Sequence, residues 1–232
     1  MLLGGDLLAW PYAGRGWVRI VCADSGADHA LALGLRPDLI IGDLDSIAPR
    51  ARAAFRDVPT RTMSHDKDAT DGELAVMAAL ATQAASIVIA GALGGRFDHA
   101  LANVGLLIAV AAAGRQGIAT DGRQFVFHLS GPGRWELSGH AGDLFSVIPA
   151  GADGLVGLSL SGARWPLSGA TLPAGTSRGV SNEFAAARVQ ITLERGTGWL
   201  IATPQESGPP RPIHLQAAPG AAGLETGRRP DP

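Results

Sequence analysis

The first half of the chain alternates short apolar runs with stretches of helical period, and the second half does not. Val18–Ala23 is rich in strand formers and stops at Asp24-Ser25-Gly26. Ala27–Leu33 has helical spacing, with Gly34 placed to end it. Asp38-Leu39-Ile40-Ile41 is a continuous apolar run, as expected of a strand buried on both faces. Thr70 opens the clearest helix: Thr70 and Glu73 stand at capping-box spacing. Leu74, Met77, Ala78 and Ala81 then follow the i, i+3, i+4, i+7 rule for one apolar face. Ser86–Ala90 reads as a strand running into Gly91, Gly94 and Gly95, and Asp98–Ala113 as a helix stopped by Gly114. Strands alternating with helices predict a mostly parallel sheet covered on both faces.

Beyond residue 122 the period changes. Gln124–Leu129, Leu144–Ile148 and Val189–Leu193 are strand-length runs separated by glycine, proline and serine, with no long helical period. The expected fold class is therefore α/β. It comprises an N-terminal, mostly parallel three-layer α/β domain over residues 1–121 and a smaller all-β sandwich over 122–203. Residues 204–232 are rich in Pro, Gly and Ala without periodicity, and are expected to be a disordered tail.

Composition narrows the function classes. Net charge is −2 with no basic block, so no nucleic-acid partner is expected. The single cysteine, Cys22, excludes an internal disulfide and sits in an apolar run, where a buried small hydrophobe is the simpler reading. No cationic stretch precedes the short apolar start, and the longest apolar stretch, Val104–Ala113, is about half a membrane span. The expectation is a soluble cytoplasmic protein with no membrane partner.

Three acidic clusters carry the chemistry: Gly42-Asp43-Leu44-Asp45-Ser46, His65-Asp66-Lys67-Asp68-Ala69-Thr70-Asp71 and Gly94-Gly95-Arg96-Phe97-Asp98-His99. Lys67 is the only lysine among nineteen Lys and Arg residues. Ligands of open parallel sheets bind at the carboxyl ends of the strands, where Asp24, Asp43, Asp45 and the 91–98 loop all fall. For Asp43-x-Asp45 alone, a solvated turn is the simpler account. With the other clusters present, a divalent cation holding a polyphosphate is preferred. Asp71, in the first turn of its helix, suits either the helix dipole or a metal–phosphate complex. Arg96 is either a phosphate fork or one side of a surface salt bridge. His99 is a candidate base or ligand, although such a histidine is more often structural. Neither a GxxxxGK[ST] loop nor a GxGxxG turn after the first strand is present, which argues against Walker-type kinases and ordinary dinucleotide dehydrogenases.

Taken together, the motifs resemble the thiamine pyrophosphokinase (thiamine diphosphokinase) family over residues 20–202. The stretches are 23–27, 37–46, 67–75 and 91–99, with Asn103 on the following helix. In the β half they are 146–149, 162–167 and 179–184. The resemblance implies an α/β nucleotide-binding domain, a β-sandwich that binds thiamine, and a homodimer with its active site near the subunit interface. The family transfers a pyrophosphoryl group from ATP to the hydroxyethyl oxygen of thiamine, giving thiamine diphosphate and AMP. By matching positions, Asp43, Asp45 and Asp71 would surround Mg²⁺ and the polyphosphate. Asp24, Lys67, Thr70, Gly95 and Arg96 would hold ATP. Asp98, Asn103, Ser181 and Asn182 would face thiamine, with Asp71 and Asp98 the catalytic pair. Trp165 and Trp199 are candidates to stack on the thiazolium, beside core roles for both. Ser25 departs from the pattern, which commonly has a second glycine there, and the segment before Val18 is short for the usual first strand. Two alternatives stay open: a pyrophosphokinase for another heterocyclic alcohol, such as a hydroxymethylpterin, and a non-catalytic nucleotide or thiamine-phosphate sensor.

Overall fold

The computed structural model describes residues 1–62, 68–205 and 210–217. The chain divides into two compact units, one over Met1–Phe127 and one over His128–Gln205 together with the strand at His214–Ala217.

The first unit runs β1 (Val21–Ala23), α1 (Gly26–Ala32), β2 (Leu39–Ile41), α2 (Pro49–Ala54), β3 (Thr60–Arg61), α3 (Asp71–Leu80), β4 (Ser86–Ala90), α4 (Phe97–Ala112), β5 (Gln116–Thr120) and the start of β6 (Phe125–Ser130). β1 pairs in parallel with β2, and β2 with β3; β4 pairs in parallel with β5, and β5 antiparallel with β6. β1 and the last four residues of β4 are fully buried, as continuous apolar runs covered on both faces must be.

What joins β1 to β4 is the N-terminal segment. Leu2 bridges in parallel to both Cys22 and Ala90. Its N–H donates to Val21 O at 2.9 Å and its carbonyl accepts from Ala23 N at 2.9 Å, while Leu3 N–H donates to Ala90 O at 2.8 Å. The short first strand is therefore present as a brief inserted segment, and it continues as Gly5 N–H to Gly91 O (3.0 Å) and Asp6 N–H to Leu93 O (2.9 Å).

α3 starts where its capping box places it: Thr70 Oγ1 accepts from Glu73 N–H at 3.2 Å. Its buried face differs from the expected one. Gly72, Ala75 and Val76 are buried, whereas Met77 is 60% exposed. Small residues, not large ones, line the packed face because the helix lies close against β1, the strand it contacts most. Thus size misled the choice of face while the helical period was correct.

The second unit contains β7 (Gly133–Ser138), β8 (Leu144–Pro149), β9 (Leu155–Ser161), β10 (Leu167–Leu172), β11 (Asn182–Glu183), β12 (Arg188–Leu193), β13 (Arg195–Thr203) and β14 (His214–Ala217). The pairings here are antiparallel: β12 lies between β7 and β9, β9 also pairs with β10 and with the start of β13, and β8 lies between β11 and β13. Along β12 and β13, buried positions alternate with more exposed ones, the mark of strands with one core-facing side. Phe145 and Phe184 meet edge to face at 5.4 Å within this core.

Over residues 210–217 the expected disordered tail is corrected. β14 pairs with β7 through His214↔Ser138 to Ala217↔Trp135, and buries Ile213 and Leu215. The alternating Ile213, Leu215 pattern is short and follows a proline-rich stretch, so composition outweighed it.

Candidate functional site

The carboxyl ends of β1, β2 and β4 and the start of α3 converge on one cleft of about 470 Å³ in the first unit. Asp24, Thr70, Asp71, Gly95, Arg96, His99 and Asn103 line it. The sequence reading selected each of these, from segments up to 79 residues apart. It did not single out Gly4 and Gly5, and it gave no binding role to Ser25, Ser46 and Gly72 although they stand in the quoted motifs; all five also line the cleft. The only local signal for the first two was a Gly-Gly pair after an apolar Leu-Leu.

Asp24 is the electrostatic centre. It has positive φ (42°) at the end of β1, and its Oδ1 is buried with no hydrogen-bond partner. Gly42, at the end of β2, has φ 138°, and a Cβ there would stand 1.7 Å from Asp24 Oδ1. That glycine is therefore what allows the carboxylate its place. Burial pushes the Asp24 carboxyl up to about 7, aided next by its hydrogen bond with Asp71 and by the negative charges of Asp71 and Asp43, and opposed by the Leu44 backbone N–H. Three carboxylates thus interact at the mouth of the sheet. Asp43 Oδ1 also accepts from the Asp45 N–H at 3.1 Å, which shapes the turn. Asp43 and Asp45 are not in the cleft wall itself.

Such a set fits a small hard cation, because an orphaned carboxylate oxygen beside other carboxylates is stabilised by a charge of opposite sign. Among the described residues, no three Asp, Glu, His or Cys side chains form a complete metal cage. Mg²⁺ does not require one, since it keeps several waters and takes only one or two carboxylates together with substrate phosphates.

The opposite wall is the β4–α4 loop. Gly94 and Gly95 have φ of 78° and 64°, which turns the chain so that Arg96 precedes α4. Asn103, one and a half turns into α4, donates to Ala92 O at 3.2 Å and props the loop from behind. Arg96 forks onto Asp98, Nη2 to Oδ2 at 2.6 Å and Nε to Oδ1 at 3.2 Å. Both side chains are exposed, and the guanidinium holds the Asp98 carboxyl below its ordinary value. Asp98 is outside the cleft wall. His65, Asp66 and Lys67 lie outside the described residues.

The remaining predicted residues belong to the second unit. Ser181 has positive φ (59°), and its N–H donates to Ser146 Oγ at 3.0 Å. Asn182 is buried, and its side chain holds the neighbouring loop. Nδ2 donates to Trp165 O at 2.8 Å, and Oδ1 accepts from Trp165 N (3.2 Å) and Glu183 N (2.8 Å). Trp165 is thereby presented 52% exposed, with the Arg164 guanidinium 4.9 Å from its ring centre and bridged to Glu183 at 2.8 Å. Trp199 instead packs against His128 at 5.3 Å.

Known proteins are similar to this chain in fold and in sequence. Residues 17–118 match the family described as "Thiamin pyrophosphokinase, catalytic domain", and residues 136–197 match "Thiamin pyrophosphokinase, vitamin B1 binding domain". Thiamine pyrophosphokinase of Bacillus subtilis (strain 168) is 28% identical over 189 residues, covering 78% of this chain and 83% of the relative. Thiamine pyrophosphokinase 1 of Oryza sativa subsp. japonica is 26% identical over 205 residues, covering 78% and 77%. The crystal structure of the Bacillus subtilis enzyme aligns with a TM-score of 0.79 at 25% identity over 88% of this chain and 97% of that one. That from Geobacillus thermodenitrificans aligns at 0.77 with 27% identity, over 88% and 96%. With both matched segments in order along an α/β unit followed by a β unit, the chain belongs to the thiamin pyrophosphokinase family.

Proposed function

We propose that this protein transfers a pyrophosphoryl group from ATP to the hydroxyethyl oxygen of thiamine, giving thiamine diphosphate and AMP. The observation that carries the reading is the cleft in which Asp24 and Asp71 share a hydrogen bond opposite Gly94-Gly95-Arg96, with the charge of Asp43 acting on Asp24 from outside the wall. One wall is anionic and suits a divalent cation; the other combines a close-approach backbone turn with a guanidinium, and suits phosphate oxygens.

Transfer to the β-phosphorus needs in-line positioning and charge neutralisation rather than a covalent enzyme intermediate. The acceptor hydroxyl oxygen forms a bond to the β-phosphorus and gives up its proton to solvent, the bond from that phosphorus to the α,β-bridging oxygen breaks, and AMP leaves with the electron pair. Mg²⁺, held by Asp71 and Asp43 with Asp45 and Asp24 beside them, would supply Lewis-acid neutralisation of the polyphosphate. Thr70 caps α3 as an acceptor and keeps its hydroxyl proton as a donor to phosphate. Arg96 changes partner from Asp98 to a phosphate oxygen, which leaves the Asp98 carboxylate to face the thiazolium cation. Lys67 adds a point charge to the polyphosphate.

By matching family positions, the thiamine-facing residues are Asn103 in the first unit and, in the second unit, Ser181 and Asn182, the pair supplied by a partner subunit. Trp165 is a better stacking surface than Trp199, because it is half exposed and already carries a cation on one face. The reading includes a homodimer in the cytoplasm, a three-layer first unit and a sandwich second unit. The contacts of α1 with α2, and of α3 with α4, support the layering.

The test is incubation of the purified protein with ATP, Mg²⁺ and thiamine, followed by chromatography. AMP and thiamine diphosphate in equal amounts are expected. ADP with thiamine monophosphate would overturn the bond assignment, and AMP formed only with a different heterocyclic alcohol would overturn the acceptor.

A further inference from the structure

Ser25 occupies a place in the cleft that nothing above employs. It immediately follows Asp24 and stands at the N-cap of α1, yet its side chain makes no capping bond. An N-cap serine ordinarily accepts from an amide of the first turn. Here the hydroxyl makes no hydrogen bond among the described residues, although it lines the same cleft as Thr70, Asp71 and Arg96.

What stands behind that hydroxyl is Gly4. A Cβ on Gly4 would lie 2.2 Å from Ser25 Oγ, so any side chain there would drive the hydroxyl out of its position. The Gly4 backbone has little freedom to yield. Its neighbour Gly5 donates its N–H to Gly91 O at 3.0 Å, and the Gly5 carbonyl accepts from His29 Nε2 at 2.9 Å. The N-terminal segment is thus pinned between the β4–α4 loop and α1, and the Ser25 hydroxyl stands where a Gly4 side chain would be.

We propose that the Ser25 hydroxyl is a phosphate-contacting group of the nucleotide site, and that Gly4 keeps it directed into the cleft. The proposal rests on the reading of this cleft as the site of the ATP polyphosphate. An unpartnered donor beside an anionic ligand is used most simply as a charge-assisted hydrogen bond to a phosphate oxygen. Gly4 and Ser25 form a matched pair: the serine is tolerated because position 4 has no side chain.

The experiment is a double-mutant cycle on the full chain, with Ser25→Ala, Ser25→Gly, Gly4→Ala and Gly4→Ala/Ser25→Gly. Binding of magnesium α,β-methylene-ATP is measured by calorimetry, and KM for ATP and for thiamine with kcat by product chromatography. Removing the hydroxyl is expected to weaken analogue binding about fivefold to tenfold and to raise KM for ATP without raising KM for thiamine. Gly4→Ala is expected to weaken analogue binding similarly alone, and to add nothing once Ser25 is glycine. Wild-type analogue affinity in Ser25→Ala would overturn the proposal, as would an undiminished Gly4→Ala effect in the Ser25→Gly background. If Gly4→Ala does not fold, Ser25→Ala decides alone. The two readings fail separately: thiamine diphosphate formed by an enzyme indifferent to Ser25→Ala removes this inference only, whereas a wild-type chain that binds no nucleotide removes both.

Discussion

Gly42 and Asp24 fit together by subtraction: the missing Cβ of Gly42, which would lie 1.7 Å from Asp24 Oδ1, is the space the carboxylate fills. Gly42→Ala is therefore expected to do two things at once. It forces alanine to φ 138° and displaces Asp24. A loss of about 1–3 kcal/mol in unfolding free energy is expected from the backbone alone. Denaturant titration measures that loss, and magnesium-nucleotide affinity should fall with it. A variant with native stability and affinity would show that the β2–β3 side can relax away from Asp24.

Asp71→Asn tests the metal–phosphate role at the start of α3. Asparagine keeps the size of the side chain and loses only the charge, and the helix-dipole contribution at stake is about 0.3–1 kcal/mol. The fold should survive, with far-UV circular dichroism unchanged, while kcat falls by about two to three orders of magnitude. Near-normal turnover would remove Asp71 from that role.

Asp24 makes the metal-free protein sensitive to pH. Its folded-state pKa is raised to about 7 from an ordinary 3.8, so the folded chain binds more protons than the unfolded chain between those values. The stability this group contributes is complete below the ordinary carboxylate range and is lost as pH rises through about 7. Urea midpoints of the metal-free protein should therefore fall from pH 5 to pH 8 more steeply for wild type than for Asp24→Asn. Parallel curves for the two proteins would contradict the electrostatic picture of the cleft.

Cys22 should be chemically silent in the native state. It is fully buried, and burial pushes its thiol up to about 12. An aromatic disulfide reagent should titrate no thiol in native protein and one per chain in denaturant. Rapid native labelling would mean that the sheet opens around β1 far more often than its burial implies.

The legible parts of this fold were the local ones. Thr70 and Glu73 announced the start of α3 because capping needs only neighbours three apart, and the glycines after α1 and α4 marked their ends for the same reason. Ser86–Ala90 was read to the residue because a short β-rich run between loops has few other options. The insertion of Leu2 between β1 and β4 was hidden, since its partners are 20 and 88 residues away and its own sequence is two leucines and two glycines. In the candidate site, the placing of Asp24, Asp43, Asp45 and the 91–98 loop at strand ends was legible in the sequence, and the local geometry was not. Asp24 and Asp71 were both selected, but their shared hydrogen bond, and the room Gly42 leaves for it, depend on how three strand ends converge. Asp98 was read as a thiamine ligand and Arg96 as a nucleotide ligand, and in the structure each has the other as its partner.

The inserted N-terminal segment also sets an order of events. β1–β2–β3 pair among themselves and β4–β5 pair with each other, while the ladder joining the two groups runs through Leu2. The Leu2 segment completes its pairing only when both Cys22 and Ala90 are in place. Long-range closures of this kind are slow, because the loop entropy is lost before the contacts form. The walls of the cleft draw on both groups, so the ladder through Leu2 is what holds the two halves of the site together.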